Sequence, residues 1–128
     1  MLVDSSVWID YFIGRDTAQT RTLDENLGRT EIATGDLILL EVLQGFRSDR
    51  DYRTAKKLFA ALFCFELLGT DMAVRCTENF RALRKKGVTV RKTADVIIAS
   101  FCIDHHLPLL FSDKDFKPFV KHLGLIEV

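Results

Sequence analysis

Apolar positions gather most densely between Asp95 and Phe111, where Val96, Ile97, Ile98, Ala99, Phe101, Cys102 and Ile103 leave few places for water. A helix that is apolar on nearly every side belongs inside a core, not on a surface. The pattern therefore predicts a central helix over 94–105, followed at once by a strand over 107–111. Upstream, short apolar runs read as strands at Met1-Leu2-Val3, Glu31 to Thr34 and Cys64 to Leu68, with a last one at Leu125 to Val128. Helical spacing fills the intervals. One helix, capped by Ser5 or Ser6, carries Val7, Trp8, Tyr11 and Phe12 and ends at Gly14. A polar one runs from Thr17 to Leu27 with Gly28 as its stop, and an apolar one opens at Asp36 and continues to Phe46. Ser48 or Asp49 caps the next, which carries Ala55, Leu58, Phe59 and Leu62. A long amphipathic helix starts at Thr70 or Asp71 and ends in Arg84-Lys85-Lys86-Gly87, cations last, as the helix dipole favours. Val88 to Val90 reads as an extended linker, and a short helix lies near Phe116 to Lys121. Parallel strands need crossovers, and helices are the usual ones, so the alternation predicts an α/β fold: a central parallel sheet flanked by helices in three layers.

The totals narrow the class. A chain of 128 residues is expected to form a single domain spanning 1–128, with a core of its own. It is 48% hydrophobic and 28% charged with two prolines, a globular composition. No apolar run approaches the ~18 residues of a membrane span. Met1-Leu2-Val3-Asp4 has no basic flank and meets an acid at once, so no signal peptide is expected and a cytoplasmic location is. Cys64, Cys76 and Cys102 show no ligand or redox spacing and are expected to be buried free thiols. Lysine plus arginine equals aspartate plus glutamate at 18 each, so net charge is silent about nucleic acid and only local clusters speak.

Carboxylates bracket the densest apolar stretch. In an open α/β sheet, ligands collect outside the carboxyl ends of the strands. Asp4 follows the first strand, and Asp113 and Asp115 follow the strand over 107–111. Asp95 opens the central helix on the rim that helix approaches. Glu41 has Leu37, Ile38, Gln44 and Gly45 at helical neighbour positions, so it sits among apolar residues rather than on a charged face. Each acid alone has a plainer role: strand end for Asp4, dipole partner after a Thr93 cap for Asp95, N-cap for Asp113, ion-pair partner for Glu41. Together they imply a cluster. Two carboxylates about 4 Å apart repel by roughly 4 kcal/mol at an effective dielectric near 20. A divalent cation removes that cost, and carboxylates without Cys or His select a hard ion, Mg²⁺ or Mn²⁺. Such an ion suits phosphodiester hydrolysis.

Four blocks carry a resemblance: Val3 to Asp10, Glu41 to Gly45, Thr93 to Ala99 and Ser112 to Phe116. In this order they resemble the signature blocks of PIN-domain ribonucleases, and most closely the VapC toxins of bacterial VapBC type II toxin–antitoxin systems. The resemblance spans nearly the whole chain. It implies a PIN fold and a Mg²⁺- or Mn²⁺-dependent endoribonuclease, with Asp4, Glu41, Asp95 and Asp113 as the acidic quartet. Asp115 matches a supporting acid, and Ser6 matches the small hydroxyl residue that helps hold the site. From it, Asp4, Asp95 and Asp113 are expected to hold the metal, with Glu41 orienting the water or acting as its base. The family also implies a homodimer, held inactive by a small VapB-like antitoxin in a heterotetramer or larger assembly.

Arg81, Arg84, Lys85, Lys86, Arg91 and Lys92 form the local basic cluster that leads to Asp95. Of these, Arg91 and Lys92 are expected to contact RNA phosphates, with Lys114 and Lys117 similar candidates. Trp8 and Phe12 are expected in the core, and His105, His106 and His122 in cap or surface roles. No GxSxG elbow surrounds Ser5 or Ser6, which excludes a serine-hydrolase triad. Two rivals stand beside the nuclease: a phosphoryl-transfer domain of phosphatase or receiver type, for which Asp4-Ser5-Ser6 lacks a second acid, and a non-catalytic module that offers its acids to a partner's arginines.

Overall fold

A computed structural model describes residues 1–128. Four short strands, β1 (Leu2–Val3), β2 (Ala33–Gly35), β3 (Phe63–Phe65) and β4 (Leu109–Leu110), form one sheet in the order β3-β2-β1-β4, and every pairing is parallel. Leu2 stands opposite both Ala33 and Leu109, and Val3 opposite Leu110. Seven helices fill the crossovers: α1 (Ser5–Phe12), α2 (Ala18–Asn26), α3 (Asp36–Leu43), α4 (Asp49–Ala60), α5 (Thr70–Lys85), α6 (Thr93–Asp104) and α7 (Lys117–Leu123), the last preceded by a 3₁₀ turn at Lys114–Phe116.

The strand order decides where the helices lie. From β1 to β2 to β3 the chain steps in one direction across the sheet, and from β3 to β4 it returns past β1. Right-handed crossovers then place α1 to α4 on one face and α5 and α6 on the other. Packing agrees: α1 touches α2 and α3, α3 touches α4, and α5 touches α6 and α7. The direction of winding reverses between β1 and β4, and a crevice opens at such a switch point beyond the strands' carboxyl ends.

One hydrophobic cluster of 23 buried residues runs through both faces. Val96, Ile98, Ala99, Phe101 and Cys102 bury α6 almost completely, as its apolar run predicts. Trp8 is fully buried, with ring centroids 4.8 Å from Phe59 and 5.9 Å from Phe12, so α1 is fastened to α4 by aromatic packing. Gly35 ends β2 where a Cβ would stand 2.5 Å from Leu67 Cδ1, so only glycine lets the segment after β3 close over the sheet.

Several boundaries differ from the sequence pattern. The run from Cys64 to Leu68 is a strand only over Phe63–Phe65, because the Leu67 amide turns to donate to Asp36 Oδ1 (3.2 Å) instead of a neighbouring strand. The apolar helix opened by Asp36 stops at Leu43, short of Phe46. The strand over 107–111 narrows to Leu109–Leu110, and Leu125 to Val128 contributes one parallel bridge, Leu109 with Glu127, in place of a fifth strand. Cys76 and Cys102 are buried free thiols, and burial pushes the Cys102 thiol up to about 12. Cys64 is exposed, against expectation, because β3 is an edge strand and its apolar neighbours Phe63 and Phe65 do not cover it.

Candidate active site

The acids reach the switch-point rim from four elements. The Asp4 amide donates to the Leu110 carbonyl (2.9 Å), which fixes Asp4 at the carboxyl end of β1 beside β4. Its own carboxylate then caps α1: Oδ2 accepts the Ser6 amide at 3.1 Å and the Ser6 hydroxyl at 2.5 Å. Neither serine is the cap, which leaves the Ser5 hydroxyl free to donate to Glu41 Oε1 on α3 (3.1 Å). Asp95 lies in the first turn of α6. Lys92 holds the cap position there without a side-chain bond to the helix amides, and Thr93 is the first helical residue, so the Thr93 cap is absent. Asp113 caps the 3₁₀ turn by accepting the Asp115 amide on Oδ1 (2.9 Å), which aims Asp113 and Asp115 to the same side.

Asp95, Asp113 and Asp115 bring one carboxylate oxygen each within 4.8 Å of one another. Asp115 thus stands among the three grouped acids, while Asp4 is set behind them, 3% exposed. Asp4 Oδ1 and Asp95 Oδ2 are buried with no hydrogen-bond partner. Orphaned carboxylate oxygens are rare because desolvation without a partner is expensive, and here two meet at one rim. Their ionisation reflects the strain. Burial raises the Asp4 carboxyl despite the bonds from Ser6 and Ser5, and the Asp113 charge raises it further. Burial, then the Asp4 charge, carries Asp95 from 3.8 to about 7, with Lys92 opposing. Glu41 is raised by desolvation and by Asp4, against the bond from Ser5. These are oxygen-only donors held close, short of partners and resistant to ionising, a set that suits a hard divalent cation.

The basic residues divide. Lys92 Nζ lies 3.3 Å from Asp113 Oδ2 and is the only cation within ion-pair distance of any of the four acids or Asp115. Arg91 is exposed and forms no ion pair. Lys117 is held by Glu127 at 2.5 Å, and the Arg84 guanidinium lies over the Phe80 ring, so neither stands free. His105 closes α6, stacked on Phe101 with Nδ1 3.0 Å from the Phe101 carbonyl. Sequence reasoning missed Ser5 as the partner of Glu41 and Lys92 as the partner of Asp113. Only the spacing of each beside a candidate acid hinted at either.

The PIN domain family model matches residues 1–120. The VapC ribonuclease Mb1587 of Mycobacterium bovis is 31% identical over 132 residues, an overlap covering 98% of this chain and 95% of the relative. Among solved structures, VapBC2 from Rickettsia felis, bound to a DNA fragment from its promoter, superposes with a TM-score of 0.77 at 17% identity, covering 99% of this chain and 96% of the other. VapC20 of Mycobacterium tuberculosis, a sarcin–ricin loop cleaving toxin, superposes at 0.71 and 16% identity, covering 99% and 97%. At such identity the structural likeness concerns the fold.

Proposed function

The chain belongs to the PIN-domain family, among the VapC ribonucleases, and from that premise we propose that it is a metal-dependent endoribonuclease toxin neutralised by a cognate antitoxin. It works as a single domain over residues 1–128, in the cytoplasm where its RNA is. No helix is long and apolar enough to cross a membrane. The observation that carries the reading is the pair of orphaned buried oxygens, Asp4 Oδ1 and Asp95 Oδ2, at the rim where Asp113 and Asp115 converge.

Asp4, Asp95 and Asp113 would hold Mg²⁺ or Mn²⁺, directly or through water, with Asp115 in support. When bound, the ion supplies Lewis-acid polarisation of the phosphoryl oxygen and a more acidic water. Ser6 engages Asp4 Oδ2 and leaves Oδ1 without a partner. Ser5 fixes Glu41 by donating to Oε1, which leaves Oε2 to take the proton of the attacking water. Desolvation and the Asp4 charge raise the Glu41 carboxyl, and the Ser5 bond and Lys92 oppose them. Arg91 and Lys92 meet the RNA backbone, offsetting the repulsion between phosphates and acids.

The partner reading rests on two features. Beside Glu41, Ile9, Phe12, Ile13, Val42 and Phe46 line an apolar groove of about 160 Å³. A VapB-like tail with an apolar side chain for the groove and an arginine for the acids fits both, in a homodimer assembled with antitoxin into a heterotetramer or larger. The R. felis structural relative is itself a VapBC assembly.

Asp4→Asn and Asp113→Asn keep side-chain size and remove charge. Both are expected to lose RNA cleavage and Mn²⁺ binding, measured by gel and by calorimetry. Full cleavage by both at equal Mn²⁺ would refute the assignment.

A further inference from the structure

Asp113 has one carboxylate oxygen committed to the fold and one facing a cation. Oδ1 accepts the Asp115 amide at 2.9 Å and holds the 3₁₀ turn together, while Oδ2 is 3.3 Å from the Lys92 ammonium. Lys92 is anchored at its backbone, since its carbonyl accepts the Asp95 amide (3.1 Å) and the Val96 amide (3.4 Å) at the start of α6. Its side chain is 61% exposed and free to swing. The ammonium therefore sits on the oxygen of Asp113 least needed by the fold, within the field of Asp95 and Asp115 as well.

We infer that Lys92 is a built-in counter-ion that holds Asp113 while no metal is bound and is exchanged for the divalent ion when it arrives. This rests on the metal-binding reading above and adds an exchange to it. A divalent ion drawn to Asp113 would compete with the ammonium for Oδ2, the oxygen that carries no bond of the fold, since Oδ1 already accepts the Asp115 amide. An ammonium left beside that ion is repelled by it and has no other carboxylate oxygen within ion-pair distance. Solvent is open to it, and so is a phosphate. One lysine thus serves two states: it offsets the acid repulsion before metal binds, and it presents a positive charge to the RNA backbone afterwards. Loading the metal releases the residue that binds substrate.

The test measures Mn²⁺ affinity of the whole chain by electron paramagnetic resonance at pH 8 and low salt, and melting temperature in EDTA and in saturating Mn²⁺. The proteins are the wild type, Lys92→Met, Lys92→Arg and Asp95→Asn. Lys92→Met is expected to bind Mn²⁺ roughly three- to ten-fold more tightly, since the ion no longer competes with a half-exposed ion pair. It melts below the wild type in EDTA and level with it in Mn²⁺, whereas Lys92→Arg keeps wild-type affinity. Equal or weaker Mn²⁺ binding by Lys92→Met overturns the exchange, and so does a melting deficit of the same size in EDTA and Mn²⁺, which is what a merely structural lysine gives. If the wild type and Asp95→Asn bind Mn²⁺ equally poorly, the metal-binding reading itself fails, a result separate from the first two.

Discussion

Replacing Asp95 by Asn is expected to make the metal-free protein more stable at neutral pH, although it removes a residue from the site. Asp95 is 7% exposed and its Oδ2 has no partner. Unfolded, it gives up its proton near 3.8, whereas folded it keeps that proton up to about 7. The folded state therefore binds more protons than the unfolded state across this window, and stability falls as pH rises from about 4 to about 7. At 1.36 kcal/mol per pH unit the full window corresponds to about 4 kcal/mol. Water at the rim screens the charge, which reduces this to about 2 kcal/mol. For a 128-residue chain that is about 7 °C in Tm. The assay is thermal unfolding in EDTA at low salt from pH 4.5 to 8. The wild-type Tm declines through the window, Asp95→Asn declines less, and the two separate progressively toward pH 8. Saturating Mn²⁺ restores the wild type and leaves the variant unchanged. A wild-type Tm that is flat or rises between pH 5 and 7.5 in EDTA, with Asp95→Asn parallel to it, refutes the electrostatic reasoning.

Three further outcomes follow from particular contacts. Ser5→Ala removes the hydrogen bond to the Glu41 carboxylate and is expected to cut the cleavage rate about ten-fold while leaving Mn²⁺ affinity unchanged, read by single-turnover kinetics and calorimetry. Gly35→Ala forces a Cβ to within 2.5 Å of the fully buried Leu67 side chain and costs about 1–3 kcal/mol in urea unfolding, a loss that Leu67→Ala in the same chain does not add to in full. Trp8→Ala opens the junction of α1 and α4 beneath Asp4 and costs about 3–5 kcal/mol, so that denaturant unfolding shifts to much lower concentration and Mn²⁺ affinity weakens with it.

The α/β alternation and the buried central helix were legible because they are written in local pattern: seven apolar side chains within eight positions leave α6 no polar face to turn to water. The rim positions of Asp4 and Asp113 were legible too, since strand ends and parallel topology together decide them. Pairings between distant segments were not. Ser5 and Glu41 are 36 residues apart, and Lys92 and Asp113 21 apart, so nothing in either neighbourhood selects the partner. Asp4 was read as the end of a strand and its serines as caps. The carboxylate does the capping because it leaves β1 already beside the first amides of α1. Cys64 was misplaced because hydrophobic neighbours signal a strand but not whether another strand covers it. The final strand failed for a related reason: β4 is two residues long and offers Leu125 to Val128 a single bridge.

The acids at the β1–β4 switch point are proposed to cut RNA by holding a divalent ion. The most direct measurement incubates the purified chain with a total RNA pool, in Mn²⁺, in EDTA and in EDTA followed by excess Mn²⁺, with Asp95→Asn alongside, and maps the cut ends. Discrete cuts that appear with Mn²⁺, vanish in EDTA, return on readdition and are missing with Asp95→Asn are the expected result. Cleavage that survives EDTA, or that Asp95→Asn performs at the wild-type rate, contradicts it.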